Sequence, residues 1–182
     1  CHEAFHGSLL TSLPDAMTIN LHDISGVKDL IKQASVVAIG MGLGRDEKAE
    51  ALFIDYVQAA IENEKSIVID ADGLYHLASL HMDNHELITE LREYSTNHRV
   101  CLTPHSGEAA RLLEQKVSKI ESDRLQAIKQ CAAMYGGNWV LKGAGSLVLE
   151  QEEGKERVYV CNVGNAGMAT AGMGDVLSGV TA

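Results

Sequence analysis

The chain has 182 residues, with 15 Lys+Arg against 25 Asp+Glu and a formal net charge of −10. That length fits one domain, or one domain and a fragment of another. The charge excludes a binder of nucleic-acid backbones, which needs a basic stripe. Apolar residues at 46% and charged residues at 22% are globular values and exclude a disordered chain. No apolar run approaches the roughly 18 residues that would read as a membrane span, so neither nucleic acid nor membrane is an expected partner.

The predicted elements alternate between two types. Residues 36–39 (VVAI) form an apolar run stopped by glycines and read as a buried strand. Ala49, Leu52, Phe53, Tyr56, Val57, Ala60 and Ile61 recur at three- and four-residue steps and predict an amphipathic helix over about residues 46–63. A second strand follows at 67–70, then helical stretches at 74–80 and around Glu86, Leu87 and Leu91. Residues 100–103 are strand-like, and a helix over 108–114 follows Pro104. Ser122 and Asp123 can cap a helix carrying Leu125, Ile128, Ala132 and Tyr135, closed by Gly136-Gly137. A strand at 139–142 precedes a hairpin of 146–150 and 158–161 around a charged turn. Strand–helix alternation of this kind predicts an α/β fold, a mostly parallel sheet with helices on both faces and an antiparallel edge.

The four cysteines (Cys1, Cys101, Cys131, Cys161) stand singly. A disulfide framework or a Cys-rich zinc site is not expected, and a reducing, cytoplasmic compartment is. The first residue is Cys1. The last segment starts an apolar helical face at Val176, Leu177 and Val180 without a C-cap. Residues 1–182 are therefore read as a single incomplete domain, cut at both ends. The alternative is a natural short C-terminal turn.

In an open parallel sheet, ligands sit beyond the carboxyl ends of the strands. Each predicted strand here runs into an unusual segment: Gly40-Met41-Gly42-Leu43-Gly44, then Asp70-Ala71-Asp72, then Thr103-Pro104-His105-Ser106-Gly107-Glu108, then Lys142-Gly143-Ala144-Gly145-Ser146. The first is G-x-G-x-G, not the dinucleotide G-x-G-x-x-G, and no P-loop motif occurs. It can cradle a ligand or serve as a plain turn. His105 can bind a polar substrate group or stand idle in solvent, and Lys142 can face a phosphate or remain solvated. Asp70 and Asp72 can shape a site or cap the next helix, with capping the preferred role for Asp72. The pairs His2/His6 and His81/His85 have i, i+4 spacing, but no third ligand supports a metal. Met168 and Met173 read as packing residues.

Residues 164–175 (GNAGMATAGMGD) are the strongest segment. Glycines opening a helix free backbone N–H groups for an anion, which the helix dipole also favours. Asp175 in that setting can take a proton from a substrate hydroxyl while the N–H groups of Gly172, Met173 and Gly174 hold a phosphoryl group. The plainer alternative is a Gly-rich turn with Asp175 in a first helical turn.

Together these segments resemble, in order and spacing, the ADP/ATP-dependent NAD(P)H-hydrate dehydratase family, and Pro14-Asp15-Ala16-Met17 is similar to its Pro-Glu-x-Met element. The likeness spans residues 14–182. Met41, Ser106 and Ala166 stand where the family usually has Pro, and Ser146 and Met173 where it has Thr. None of these removes a charged group. The resemblance implies a ribokinase-like fold, with further strands before this segment and a longer helix after it. It also implies repair of hydrated NADH or NADPH, driven by ADP or ATP with Mg²⁺: phosphorylation of the ring hydroxyl, then elimination. Residues 142–146 and 164–175 look more like the ADP-using, bacterial branch. By the same resemblance Gly42, Gly44, His105 and Asp175 contact the hydrated dinucleotide, and Asp175 is the catalytic base. Lys142, Gly143, Ala144, Gly145, Ser146, Gly172 and Gly174 hold the nucleotide. No resident metal ligand is implied, and a homo-oligomer is expected of the full-length form. The alternatives are an alcohol kinase of the same superfamily, or an inactive nucleotide-binding piece.

Overall fold

The computed structural model describes residues 3–152, 155–163 and 172–182. Residues 164–171 of the glycine-rich motif, and 153–154 of the charged turn, lie outside the described residues. After a short 3₁₀ turn at Glu3–Phe5, the element order is α1 (His6–Ser12), α2 (Ile24–Gln33), β1 (Val36–Ile39), α3 (Glu47–Glu62), β2 (Ser66–Ile69), α4 (Asp72–Met82), α5 (Glu86–Tyr94), β3 (Val100–Leu102), α6 (Ser106–Leu112), α7 (Val117–Ser122), α8 (Arg124–Tyr135), β4 (Asn138–Leu141), β5 (Leu147–Glu152), β6 (Lys155–Val160) and α9 (Met173–Thr181).

The six strands form one sheet in the order β1-β2-β3-β4-β5-β6. β1 to β4 are parallel, with Val37 opposite Ile67, Ile67 opposite Val100 and Leu102 opposite Trp139; β4, β5 and β6 are antiparallel. The order advances steadily in one direction. Right-handed crossovers then place every connecting helix on the same face. The register shows the consequence. One face carries Ile39, Ile67, Ile69, Val100, Leu102, Trp139, Leu141 and Leu149, all buried. They pack with Leu52, Phe53, Val57, Leu77, Leu87, Leu91, Ile120, Ile128 and Tyr135 from the helices.

The other face is covered unequally. Val68 is buried, and α9 packs over β2. Farther along, Cys101, Asn138, Val148, Tyr159, the α9 residue Thr181 and its C-cap Ala182 line an open depression of about 520 Å³. Val176 and Val180 are exposed on α9. Helices thus occupy both faces, as expected, but the crossovers fill only one.

Capping explains several boundaries. Asp46 opens α3 by accepting from the Ala49 N–H at 2.8 Å, and Asp123 opens α8 by accepting from Gln126 at 2.9 Å. Gly136 closes α8. Other boundaries differ from expectation. Ser122 ends α7 rather than capping α8, α6 begins at Ser106 rather than 108, and Leu125 is exposed. The helices α1, α2 and α7 carried no sequence expectation.

Leu102 is fully buried in the parallel sheet, whereas Val148 faces the open depression. Leu102→Ala should cost about 2–5 kcal/mol of stability by urea denaturation, the range for emptied core leucine sites. Val148→Ala should cost less than about 1 kcal/mol.

Candidate active site

The four strand-end segments meet at one rim, joined by specific bonds. Gly40 follows β1 at φ +122°, and a Cβ there would lie 1.9 Å from the Asp70 carbonyl oxygen and 2.5 Å from the Gly73 nitrogen. Only glycine allows the first loop to lie this close to the second. Asp72 then fixes the far end of the glycine loop. Its carboxylate accepts from the Gly44 N–H at 3.1 Å and from Arg45 Nε at 2.6 Å. The helix-capping role expected of Asp72 is therefore corrected: Ala71 is the N-cap of α4 and makes no side-chain cap, while Asp72 reaches across to the neighbouring loop. The Gly44 carbonyl is held in turn by His76 Nε2 at 2.8 Å. His76 is buried beside Phe53, and its Nδ1 faces Glu50 at 3.6 Å.

Asp70 is the hub. It is 1% exposed. Its Oδ1 accepts from Lys142 Nζ at 2.8 Å and from the Ala71 N–H at 2.8 Å, and its Oδ2 accepts from Ser178 Oγ at 2.8 Å. Lys142 is thus neither solvated nor simply extended toward a ligand. It follows β4 inside the rim, with Glu108 4.0 Å away. The Lys142 N–H donates to the Pro104 carbonyl at 2.8 Å, and His105 and Lys142 extend the parallel pairing by one bridge. Burial, with the Asp70 charge beside it, pushes the Cys101 thiol up to about 11, so it is no nucleophile.

His105 caps α6. Its Nδ1 accepts from the Gly107 N–H at 2.9 Å and the Glu108 N–H at 3.2 Å, while Glu108 Oε2 accepts from the His105 N–H at 2.8 Å. This reciprocal box fixes the ring. Its Nε2 edge lies 3.5 Å from Glu108 Oε1, and the ring itself is exposed at the rim. Burial raises the Glu108 carboxyl above its ordinary value, against the lowering influence of the His105 N–H bond, His105 and Lys142.

The segment after β4 is a tight turn. Gly143 has φ +153°, and a Cβ on it would lie 2.2 Å from Arg124 Nη1. Arg124 Nη2 donates to the carbonyl of Leu141 at 3.1 Å, clamping the strand end from α8. Ser146 Oγ donates to the Gly143 carbonyl at 3.1 Å and so is spent on the turn. Gly143, Ala144 and Gly145 are exposed.

Gly172 adopts a left-handed conformation as the N-cap of α9. A Cβ on Gly174 would stand 3.4 Å from Lys142 Nζ and 3.6 Å from Asp70 Oδ2, so the start of α9 touches the buried ion pair. Asp175, in the first turn, is exposed and has no hydrogen-bond or ion-pair partner among the described residues. Gly42 faces open space. The structure therefore brings Gly44, His105, Lys142, Gly174 and the Asp70 hub into one linked rim.

A family model for NAD(P)H-hydrate dehydratase matches residues 1–182. The chain belongs to this family. It is 37% identical over 167 residues to the bifunctional NAD(P)H-hydrate repair enzyme Nnr of Coxiella burnetii, covering 92% of this chain and 30% of the relative. It is 32% identical over 173 residues to the ADP-dependent (S)-NAD(P)H-hydrate dehydratase of Neisseria meningitidis, covering 95% and 53%. The chain thus spans under a third of the bifunctional relative and about half of the other. A ribokinase-like superfamily protein of Enterococcus faecalis matches with a TM-score of 0.75 at 25% identity, covering 98% of this chain and 57% of that one. The Bacillus subtilis ADP/ATP-dependent NAD(P)H-hydrate dehydratase crystallised with ATP/Mg²⁺ matches with a TM-score of 0.69 at 22% identity, covering 98% and 57%. The fold is ribokinase-like.

Sequence reasoning missed Ser178, His76 and Arg45. Ser178 lies 108 positions from its partner Asp70, so no local pattern could announce it. Arg45 was legible as the residue that follows the glycine loop. Of the two histidine pairs, His81/His85 is accounted for by structure: His85 caps α5, accepting from Leu87 at 3.1 Å, and His81 packs on Tyr135 with ring centroids 5.1 Å apart, while His2 of the other pair lies outside the described residues.

Removing Asp70 strands the Lys142 ammonium. Asp70→Ala should cost stability near the low end of the roughly 3–5 kcal/mol seen when one partner of a buried pair is removed, because Lys142 keeps some solvent and Glu108. The double variant Asp70→Asn/Lys142→Met should recover a large part of that loss in urea denaturation. Glu108 supplies a pH prediction. Because burial raises its folded-state pKa, the ionised form weakens the fold above that pKa. Glu108→Gln keeps an acceptor for His105. Its melting temperature should equal or exceed that of the parent at pH 7, and the advantage should vanish as pH falls below the ordinary glutamate value.

Proposed function

We propose that this chain supplies the nucleotide-dependent dehydration of hydrated NADH and NADPH. The observation that carries the reading is the close approach of Gly174 to the Lys142–Asp70 pair, with the carboxylate of Asp175, which has no partner among the described residues, on the next residue. A general base needs a free acceptor at the place where a hydroxyl loses its proton. A phosphoryl group in flight needs backbone N–H groups and a cation.

The scheme is as follows. Asp175 takes the proton of the ring C6 hydroxyl. The oxygen attacks the terminal phosphorus of the nucleotide, the bond from that phosphorus to its bridging oxygen breaks, and AMP leaves from ADP, or ADP from ATP. The C6 phosphate then departs as inorganic phosphate, a proton is lost from C5, and the C5–C6 double bond is restored. Hydroxide is a poor leaving group, and phosphate removes that obstacle. The N–H groups of Gly172 and Gly174 and the Lys142 ammonium steady the phosphoryl group. The exposed turn at Gly143, Ala144, Gly145 and Ser146 lies against the nucleotide, while Gly42, Gly44 and His105 receive the nicotinamide side. ADP is the proposed donor, supported by the name of the Neisseria meningitidis relative.

Among the described residues no group of three His, Cys, Asp or Glu is placed to hold a metal. Magnesium would arrive on the nucleotide phosphates and would neutralise part of their charge. No described helix is long and apolar enough to cross a membrane. A cytoplasmic setting and a homo-oligomeric full-length form, with no nucleic-acid partner, complete the reading.

The test is restoration of NADH absorbance from hydrated NADH, with ADP and with ATP, by the full-length protein. Asp175→Asn should lower kcat by about 100-fold or more, the upper part of the general-base range, with nucleotide affinity within a few-fold of the parent. Parent-like turnover in Asp175→Asn would remove Asp175 from the scheme.

A further inference from the structure

A second pocket opens beside this rim. It encloses about 310 Å³ and is lined by Arg45, Ala71, Tyr75, His105, Glu108 and Arg111, among others. Two guanidinium groups share one ring there: Arg45 lies 4.9 Å and Arg111 4.6 Å from the Tyr75 centroid. The cation–π contact attracts each guanidinium to the ring but does not relieve the repulsion between two like charges. Arg45 spends Nε on Asp72 at 2.6 Å. Arg111 has no carboxylate partner among the described residues, in a chain with 25 acidic side chains. The acid in the lining, Glu108, is committed elsewhere. One oxygen accepts the His105 N–H, the carboxylate faces Lys142 at 4.0 Å, and burial raises its pKa, so it answers Arg111 poorly.

A concave site with two pre-stacked guanidinium groups matches an anion with several oxygens in fork geometry, the arrangement in which arginine outperforms lysine. The pocket shares His105 with the proposed nicotinamide subsite, and Arg45 directly follows Gly44. A ligand whose ring lies against Gly44 and His105 therefore carries its next anionic group into this pocket. We propose that the Arg45–Tyr75–Arg111 pocket binds the diphosphate bridge of the hydrated dinucleotide. The assignment rests on the dehydratase reading above for the identity of the ligand, and on the pocket's own chemistry for the binding of a diphosphate.

Two measurements on the full-length protein test it. In steady-state assays at saturating ADP, Arg111→Gln should raise KM for hydrated NADH and hydrated NADPH alike by about tenfold or more, the loss expected for one charge-assisted contact. In the same assays kcat should stay within about threefold and KM for ADP within about twofold, since the contact is made equally before and during reaction. Arg111→Lys should recover part of the loss, because charge returns without the stacked fork. A rise confined to hydrated NADPH would assign the pocket to the 2′-phosphate instead. A rise confined to ADP would assign it to the nucleotide. An unchanged KM for all three would leave no binding role, and each of these results overturns the proposal. The second measurement needs no turnover. Inorganic pyrophosphate, titrated by calorimetry, should bind the parent and bind Arg111→Gln about tenfold more weakly, and equal binding by both would overturn the pocket. If the parent binds pyrophosphate through Arg111 but does not dehydrate hydrated NADH, the dehydratase reading fails and the diphosphate site stands.

Discussion

The site depends on one buried carboxylate. Asp70 stands at the end of β2 in the interior of the sheet, and its burial would be prohibitive without partners. It has three, and each comes from a different place: the adjacent backbone at Ala71, the ammonium of Lys142 at the end of β4, and the hydroxyl of Ser178 on α9. A surface ion pair of this kind would contribute little. Here Asp70 shuns solvent and Lys142 is four-fifths covered, so the partners cannot be exchanged for water. The same bonds that satisfy the carboxylate set the distance between strand ends and fix where α9 begins.

From that constraint the remaining geometry follows. Because Lys142 is drawn toward Asp70, its backbone runs beside Pro104 and His105 and continues the parallel pairing past the end of β3. That leaves His105 at the mouth, with its ring orientation fixed by its cap on α6. Because Gly40 lies against the Asp70 carbonyl, the glycine loop is pressed onto the start of α4, where Asp72 holds the N–H and His76 the carbonyl of Gly44. The rim is a chain of short polar bonds between loops, each loop following a strand that buries residues against the helices. Strands beneath and polar ties above are what the proposed phosphoryl transfer would require, since its rate comes from positioning and fixed charge.

Much of this was legible in the sequence, and the division has physical causes. The strands at 36–39, 67–69 and 100–102 were legible because strands buried against crossover helices become short apolar runs. The caps at Asp46 and Asp123 were legible because capping is a local bargain between a side chain and an N–H three residues on. The convergence of four polar segments was legible because parallel topology puts every strand's carboxyl end on one side. What failed to show was non-local. Asp72 looked like a cap because local context offers a helix start, while its actual partners lie 27 and 28 residues upstream. Ser178 sits on the inward side of α9 and resembles any small helix residue. The six-residue α7 is too short to display a period. The seven-residue α6 was placed two residues late because His105, an uncommon cap, does the work usually given to Ser or Asp.

The crossover geometry also decides where chemistry can occur. With β1 to β4 advancing in one direction, the connecting helices crowd one face and leave the other to α9. Among the described residues α9 is the helix packed on that face, and Val176 and Val180 on it are exposed. The Ser178–Asp70 hydrogen bond supplies a directional tie where apolar packing is thin. It has a second effect. Gly174 lies one turn before Ser178, so the bond that docks the helix also brings the glycine at its start close to Lys142 and holds Asp175 just outside, exposed and without a partner among the described residues. An apolar dock could slide along the sheet face. A hydrogen bond to a buried carboxylate cannot, and the position of the proposed base is therefore fixed by the same atom pair that fixes the helix.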